Sequence, residues 1–136
     1  MSSKNDSMAA PVFGVLAAFF GLLATGLGAY GAHGLPGKIA PQLLASFETA
    51  VQYQFFHALA LLAVAVALLV RPGQRLLKIA GLCFVVGMLG FSGSIYALVL
   101  LGNTFFGPIT PMGGLILMIG WLLLMVAAWK WECTNE

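Results

Sequence analysis

Three stretches of this chain contain no charged residue: 7–37, 49–70 and 79–129. A helix rises 1.5 Å per residue and needs about 20 residues to cross the hydrocarbon core of a bilayer. The first two stretches each fit one crossing. The third is too long for one and ample for two with a turn between. That turn is visible as Gly102-Asn103-Thr104 followed by Gly107-Pro108-Ile109-Thr110-Pro111, where prolines and glycines stop one helix and start the next. Thr110-Pro111 also has the pattern of an N-cap followed by proline at the first helical position. The spacing predicts spans near 11–32, 52–70, 78–101 and 111–130 in a single all-α membrane domain, a four-helix bundle.

Composition agrees with oil as the solvent. Hydrophobic residues make up 61% of the chain and charged ones only 7%, where a soluble domain typically has about 25% charged residues. A net charge of +2, dispersed along the chain, argues against nucleic acid as a partner. The first apolar run exceeds the roughly 7–15 residues of a signal-peptide core. It is therefore expected to be a retained span.

Lysine and arginine predict the orientation. Arg71, Arg75 and Lys78 crowd the connection after the second span with no anion among them, and cations close to a span end stay cytoplasmic. Both termini then share that side, as Lys4 and Lys130 agree, and the opposite loops hold only Lys38. In a bacterium this is the inner (plasma) membrane. Trp129 and Trp131 beside Lys130 fit an interfacial aromatic anchor. Cys83 and Cys133 both fall toward the reducing face, so no structural disulfide is expected.

Helices in lipid meet through small residues that let backbones approach. Gly21 and Gly28 lie on two such ladders in the first span, Ala17-Gly21-Thr25-Ala29 and Ala24-Gly28-Ala32; Gly87, Gly90 and Gly93 form a third. The segment from Pro41 to Arg71 contains no helix breaker. As one helix it reaches about 45 Å, beyond a core of about 30 Å. Residues 41–51 are accordingly expected to form an amphipathic interfacial helix leading into the second span. Gln42, Ser46, Thr49, Tyr53 and His57 would share its polar face, with Leu43, Leu44, Phe47, Val51 and Phe55 opposite.

This topology brings polar residues together near the outer surface: His33, Glu48, Gln52, Gln54, His57, Ser92, Ser94 and Tyr96. Polar groups at membrane depth are costly unless paired and often mark function. Two readings compete, bracing between helices and a ligand site, and bracing is favoured. Ligation of a haem by His33 and His57 is the sharpest form of the second, although no CxxCH attachment signal accompanies it. Glu48 is the only carboxylate away from the termini; it sits opposite His57 on the wheel, leaving His33 or a backbone cap as its expected partner. A proton-coupled exporter is disfavoured because the spans contain no carboxylate. No nucleophile–base pair, metal cluster or phosphate-binding loop suggests an enzyme.

Several runs together carry a resemblance. They are Gly28-Ala29-Tyr30-Gly31-Ala32-His33-Gly34-Leu35, Phe47-Glu48-Thr49-Ala50 with Tyr53-Gln54 and His57-Ala58-Leu59-Ala60, and Phe91-Ser92-Gly93-Ser94-Ile95-Tyr96. Ile109-Thr110-Pro111-Met112-Gly113-Gly114 and Gly120-Trp121 complete the set. In this order they resemble the domain of unknown function 423 family (uncharacterised protein family 382, relatives of transmembrane protein 256) over roughly residues 12–130. The resemblance implies a four-span inner-membrane protein and carries over no catalytic residue and no cofactor. Its signature residues fall on the outer polar cluster, which suggests a shared role for them. The expected function is a non-enzymatic accessory or assembly component, or a lipid-binding protein, with membrane lipids and a protein partner or second copy as its contacts. The alternative is a small redox or transport component holding haem, quinone or a small solute at the cluster.

Overall fold

The computed structural model describes residues 4–131. They form four helices, α1 (Lys4–His33), α2 (Pro41–Val70), α3 (Arg75–Leu101) and α4 (Ile109–Trp129), with no strand among the described residues. All four are long and apolar enough to cross a membrane. The all-α membrane bundle expected from the charge-free stretches is what the chain forms.

The helix ends follow from local chemistry. Pro41 opens α2, where its missing N–H leaves no bond unmade. Gly102 ends α3 at φ 65°, a left-handed conformation that glycine adopts without a Cβ penalty. The Gly102 and Asn103 amides then close on the Leu98 and Ala97 carbonyls. Asn103 Oδ1 accepts the Phe105 amide at 2.9 Å and tightens the turn. One expectation is corrected here. Thr110 does not cap α4, which begins at Ile109 with no side-chain cap; its hydroxyl is instead engaged with Ser94 of α3.

Helices α2 and α3 form the central pair. α1 packs along α2 and touches α3 only slightly, α4 packs along α3, and no Cα of α1 comes within 8 Å of one in α4. The bundle is thus open, with its first and last helices on separate flanks. Phe47, Leu61, Val64, Leu68, Leu77 and Phe84 are fully buried, while Leu22, Leu69, Val70 and Trp129 are more than 70% exposed. Apolar side chains on both sides of each helix are what lipid permits.

The first turns of α2 run on into the span without a break. One side of them, with Gln42, Ala45, Glu48 and Thr49, is exposed, and the other, with Phe47 and Ala50, packs against the bundle. Phe47 is buried with Leu35, Ala50, Ile95 and Val99, its ring 5.4 Å from that of Tyr96. A large aromatic in the helix's second turn, with α1 and α3 beside it, holds this segment against its neighbours.

Glycines set how closely each pair of helices approaches. At the α3·α4 seam a Cβ on Gly113 would overlap the Phe91 backbone nitrogen, and one on Gly90 would lie 3.2 Å from the Gly113 Cα. Gly87 and Gly120 admit Leu117 and Phe84, and Gly81 admits the Phe13 ring of α1. Gly28 faces Val51. Gly21 and Gly93, expected to serve packing as well, meet nothing within 4 Å. They line open creases instead.

Candidate functional site

The polar residues divide into two sets. Gln54, Ser92, Ser94, Tyr96 and His57 are drawn into the bundle, and each bonds to a neighbour. Gln54 on α2 donates from Nε2 to the Phe20 carbonyl of α1 at 2.9 Å and accepts the Tyr96 hydroxyl of α3 at 2.6 Å. Ser92 on α3 donates to the Ala50 carbonyl of α2 at 2.7 Å. Ser94 donates to its own helix at Phe91 and shares a hydrogen bond with Thr110 of α4. The three main seams, α1·α2, α2·α3 and α3·α4, are therefore each crossed by at least one polar bond. Among the described residues no buried side-chain N or O lacks a partner, as a bilayer interior demands.

His57 reaches across from α2 to α4. The Trp121 indole N–H, which can only donate, reaches His57 Nε2 at 2.9 Å. Nε2 is therefore the bare nitrogen, and Nδ1 carries the proton toward the Tyr53 carbonyl at 2.6 Å. Tyr53, Phe84 and Trp121 ring the imidazole at centroid distances of 5.9, 5.8 and 5.8 Å. Both nitrogens are in use, so His57 has none to offer a haem iron. This corrects the paired-histidine reading: His33 sits exposed at the end of α1 and His57 is buried in another helix.

His33, Glu48 and Gln52 form the second set, exposed at the end of the molecule that holds the α1–α2 turn. Among the described residues, neither an ion pair nor a hydrogen bond engages the Glu48 or Gln52 side chain. The expected partner for Glu48, His33 or a backbone cap, is not found. Glu48 and Gln52 instead line a cavity of about 190 Å³ between α1 and α2, floored by Gly28 and Gly31. A second cavity, of about 140 Å³, lies beside Gln54, Ser92 and Tyr96.

Among the described residues no three His, Cys, Asp or Glu side chains gather to hold a metal. Cys83 is a partly buried free thiol; Cys133 lies outside the described residues. Sequence reasoning missed Trp121 as a member of the inner set, and it read Thr110 as a cap at the turn rather than as the partner of Ser94. An indole within a span signals the first, since its N–H requires a partner there. It also missed a clasp at the opposite end. The Trp131 indole donates to Gln74 Oε1 at 3.0 Å, and Arg71 donates to the Trp131 carbonyl at 3.2 Å with its guanidinium 5.9 Å from the ring. Trp131 thus fastens the end of α4 to the α2–α3 connection, while Trp129 points outward.

Comparison with known proteins gives a consistent result. The family model described as protein of unknown function (DUF423) matches residues 27–114. The chain is 43% identical over 120 residues to the UPF0382 membrane protein YwdK of Bacillus subtilis, covering 88% of this chain and 98% of that one. It is 41% identical over 121 residues to a UPF0382 membrane protein of Staphylococcus aureus, with 88% and 96% covered. A UPF0382 membrane protein of Schizosaccharomyces pombe is 42% identical over 117 residues, with 82% and 96% covered. No solved structure matches the chain.

Proposed function

The chain belongs to the DUF423 family, whose relatives are named UPF0382 membrane proteins, and from that premise we propose that it is a non-enzymatic membrane binding protein. It serves an accessory or assembly role by holding a lipid, a protein partner or a second copy at its surface. One observation carries this reading: the buried polar side chains are all used in helix-to-helix bonds, whereas Glu48 and Gln52 are left without partners on an open crevice. A binding protein needs a braced frame and an accessible edge.

In this reading the protein sits in the cell inner membrane with both termini cytoplasmic. Support comes from the gathering of Arg71, Arg75, Lys78 and Lys130 at one end, with Lys38 at the other. Single cysteines at Gly73 and Asn103, in a background lacking Cys83 and Cys133, check this. A membrane-impermeant thiol reagent applied to intact cells is expected to label the Asn103 position alone; labelling of both, or of Gly73 alone, contradicts it.

The function is tested by purifying the full-length protein in mild detergent. A stoichiometric lipid or protein is expected to accompany it, with no visible chromophore. A stoichiometric haem or quinone, or solute flux across reconstituted vesicles, would overturn the proposal.

A further inference from the structure

The cavity at Glu48 is the upper part of a longer seam. Glu48, Gln52, Phe55, Leu59 and Leu62 recur at steps of four and three along α2, which places them on one stripe of the helix. Facing them on α1 is the stripe Gly28, Thr25, Gly21 and Ala17. Below the 190 Å³ cavity of Glu48 and Gln52, these residues border a second, open to the side, of about 270 Å³ and lined by Gly21, Thr25, Phe55, Leu59 and Leu62. Thr25 bonds the Gly21 carbonyl of its own helix at 2.9 Å, so its polarity is hidden and the lower part is oily. A Cβ at Gly21 would meet nothing within 4 Å; the protein leaves this space unfilled.

The seam has the polarity of an amphiphile. A lone carboxylate comes first, a carboxamide follows about 6 Å deeper along the helix, and apolar walls extend beneath. We infer that it binds a single phospholipid with a primary-ammonium headgroup, the ammonium at Glu48, the phosphate beside the Gln52 amide and an acyl chain over Gly21. This inference rests on the reading of the chain as a binding protein and names the ligand class. Charge selects the headgroup: Glu48 repels an anionic lipid and attracts a cationic group, and among the described residues no cation already neutralises it.

The test titrates delipidated full-length protein in detergent with phosphatidylethanolamine and phosphatidylglycerol of identical acyl chains, read by native mass spectrometry. One phosphatidylethanolamine is expected to be retained, preferred by about fivefold, the factor that roughly 1 kcal/mol of exposed charge pairing supplies. Glu48→Gln is expected to erase that preference without lowering the melting temperature. Gly21→Leu, which fills the oily part, should weaken both lipids alike. Equal retention of the two lipids by the unaltered protein, or an unchanged preference in Glu48→Gln, overturns the inference. A protein or second copy crosslinking from Gln52→Cys without lipid preference also overturns it, yet leaves the binding-protein reading standing. A chromophore or solute flux removes that reading as well.

Discussion

The α3·α4 and α1·α2 seams are built from the same small residues and use them in opposite ways. At α3·α4 the glycines close the gap, with Gly90 and Gly113 bringing two backbones together and Gly87 and Gly120 receiving Leu117 and Phe84. At α1·α2 Gly28 and Gly31 meet Val51 and Phe47, whereas Gly21 faces open space. A glycine in a span therefore marks permission for close approach, not approach itself. Whether the gap closes depends on what the partner helix presents.

The sharpest way to break this contrast is to add one methyl group to each seam. Gly113→Ala drives a Cβ into the Phe91 backbone, which cannot swing aside as a side chain does. Overpacking of that kind costs about 3 kcal/mol, and thermal unfolding in detergent should show it as a large fall in melting temperature. Gly21→Ala, entering empty space, should stay within about 0.5 kcal/mol of the unaltered protein. Equal losses at both positions would mean that the α1·α2 seam is as closed as its counterpart.

A second pair, smaller in effect, sharpens the division among polar residues. Gln54→Leu strips the Tyr96 hydroxyl of its acceptor within the bundle, at about 2 kcal/mol. Gln52→Leu, two residues away and exposed, should cost less than about 0.5 kcal/mol. The same unfolding assay compares them.

This pair also marks the limit of what the sequence discloses. Charge-free stretches and the proline-rich bend are enough to count four crossings, because the cost of placing charge in oil is large and local. Nothing comparable separates Gln54 from Gln52, or buried Phe47 from exposed Phe55. In a helix that is apolar on every side, lipid-facing and protein-facing stripes carry similar residues, so the periodicity that orients a soluble helix is weak. The wheel over 41–57 accordingly set Phe47 and Phe55 together on one apolar side, whereas the structure buries the first and exposes the second. The polar cluster was visible as a group, but its split into bonded and unbonded members depends on which stripe meets which helix. Trp121 shows the reverse case: a single indole inside a span is a legible request for an acceptor, and His57 supplies it.

A loss smaller than those at Gly113 and Gln54 concerns that bond. Trp121→Phe keeps the ring packing and removes the N–H, so α4 should loosen from α2 by about 0.6 to 1.7 kcal/mol, the range of interhelical hydrogen bonds in membranes. His57→Phe combined with Trp121→Phe should then cost less than the two single changes added together. Strict additivity in this double-mutant cycle would mean that the indole–imidazole bond contributes nothing to holding α4.

The two polar sets are assigned different work: one holds the helices together, the other meets a ligand. Comparing Gln54→Leu with Glu48→Gln in a single experiment, by melting temperature and by phosphatidylethanolamine retention, tests that division. The first variant should melt earlier and, below its transition, keep the lipid preference; the second should melt like the unaltered protein and lose it. If both variants lose stability together, or if Glu48→Gln retains the lipid preference unchanged, the division between frame and binding edge is contradicted.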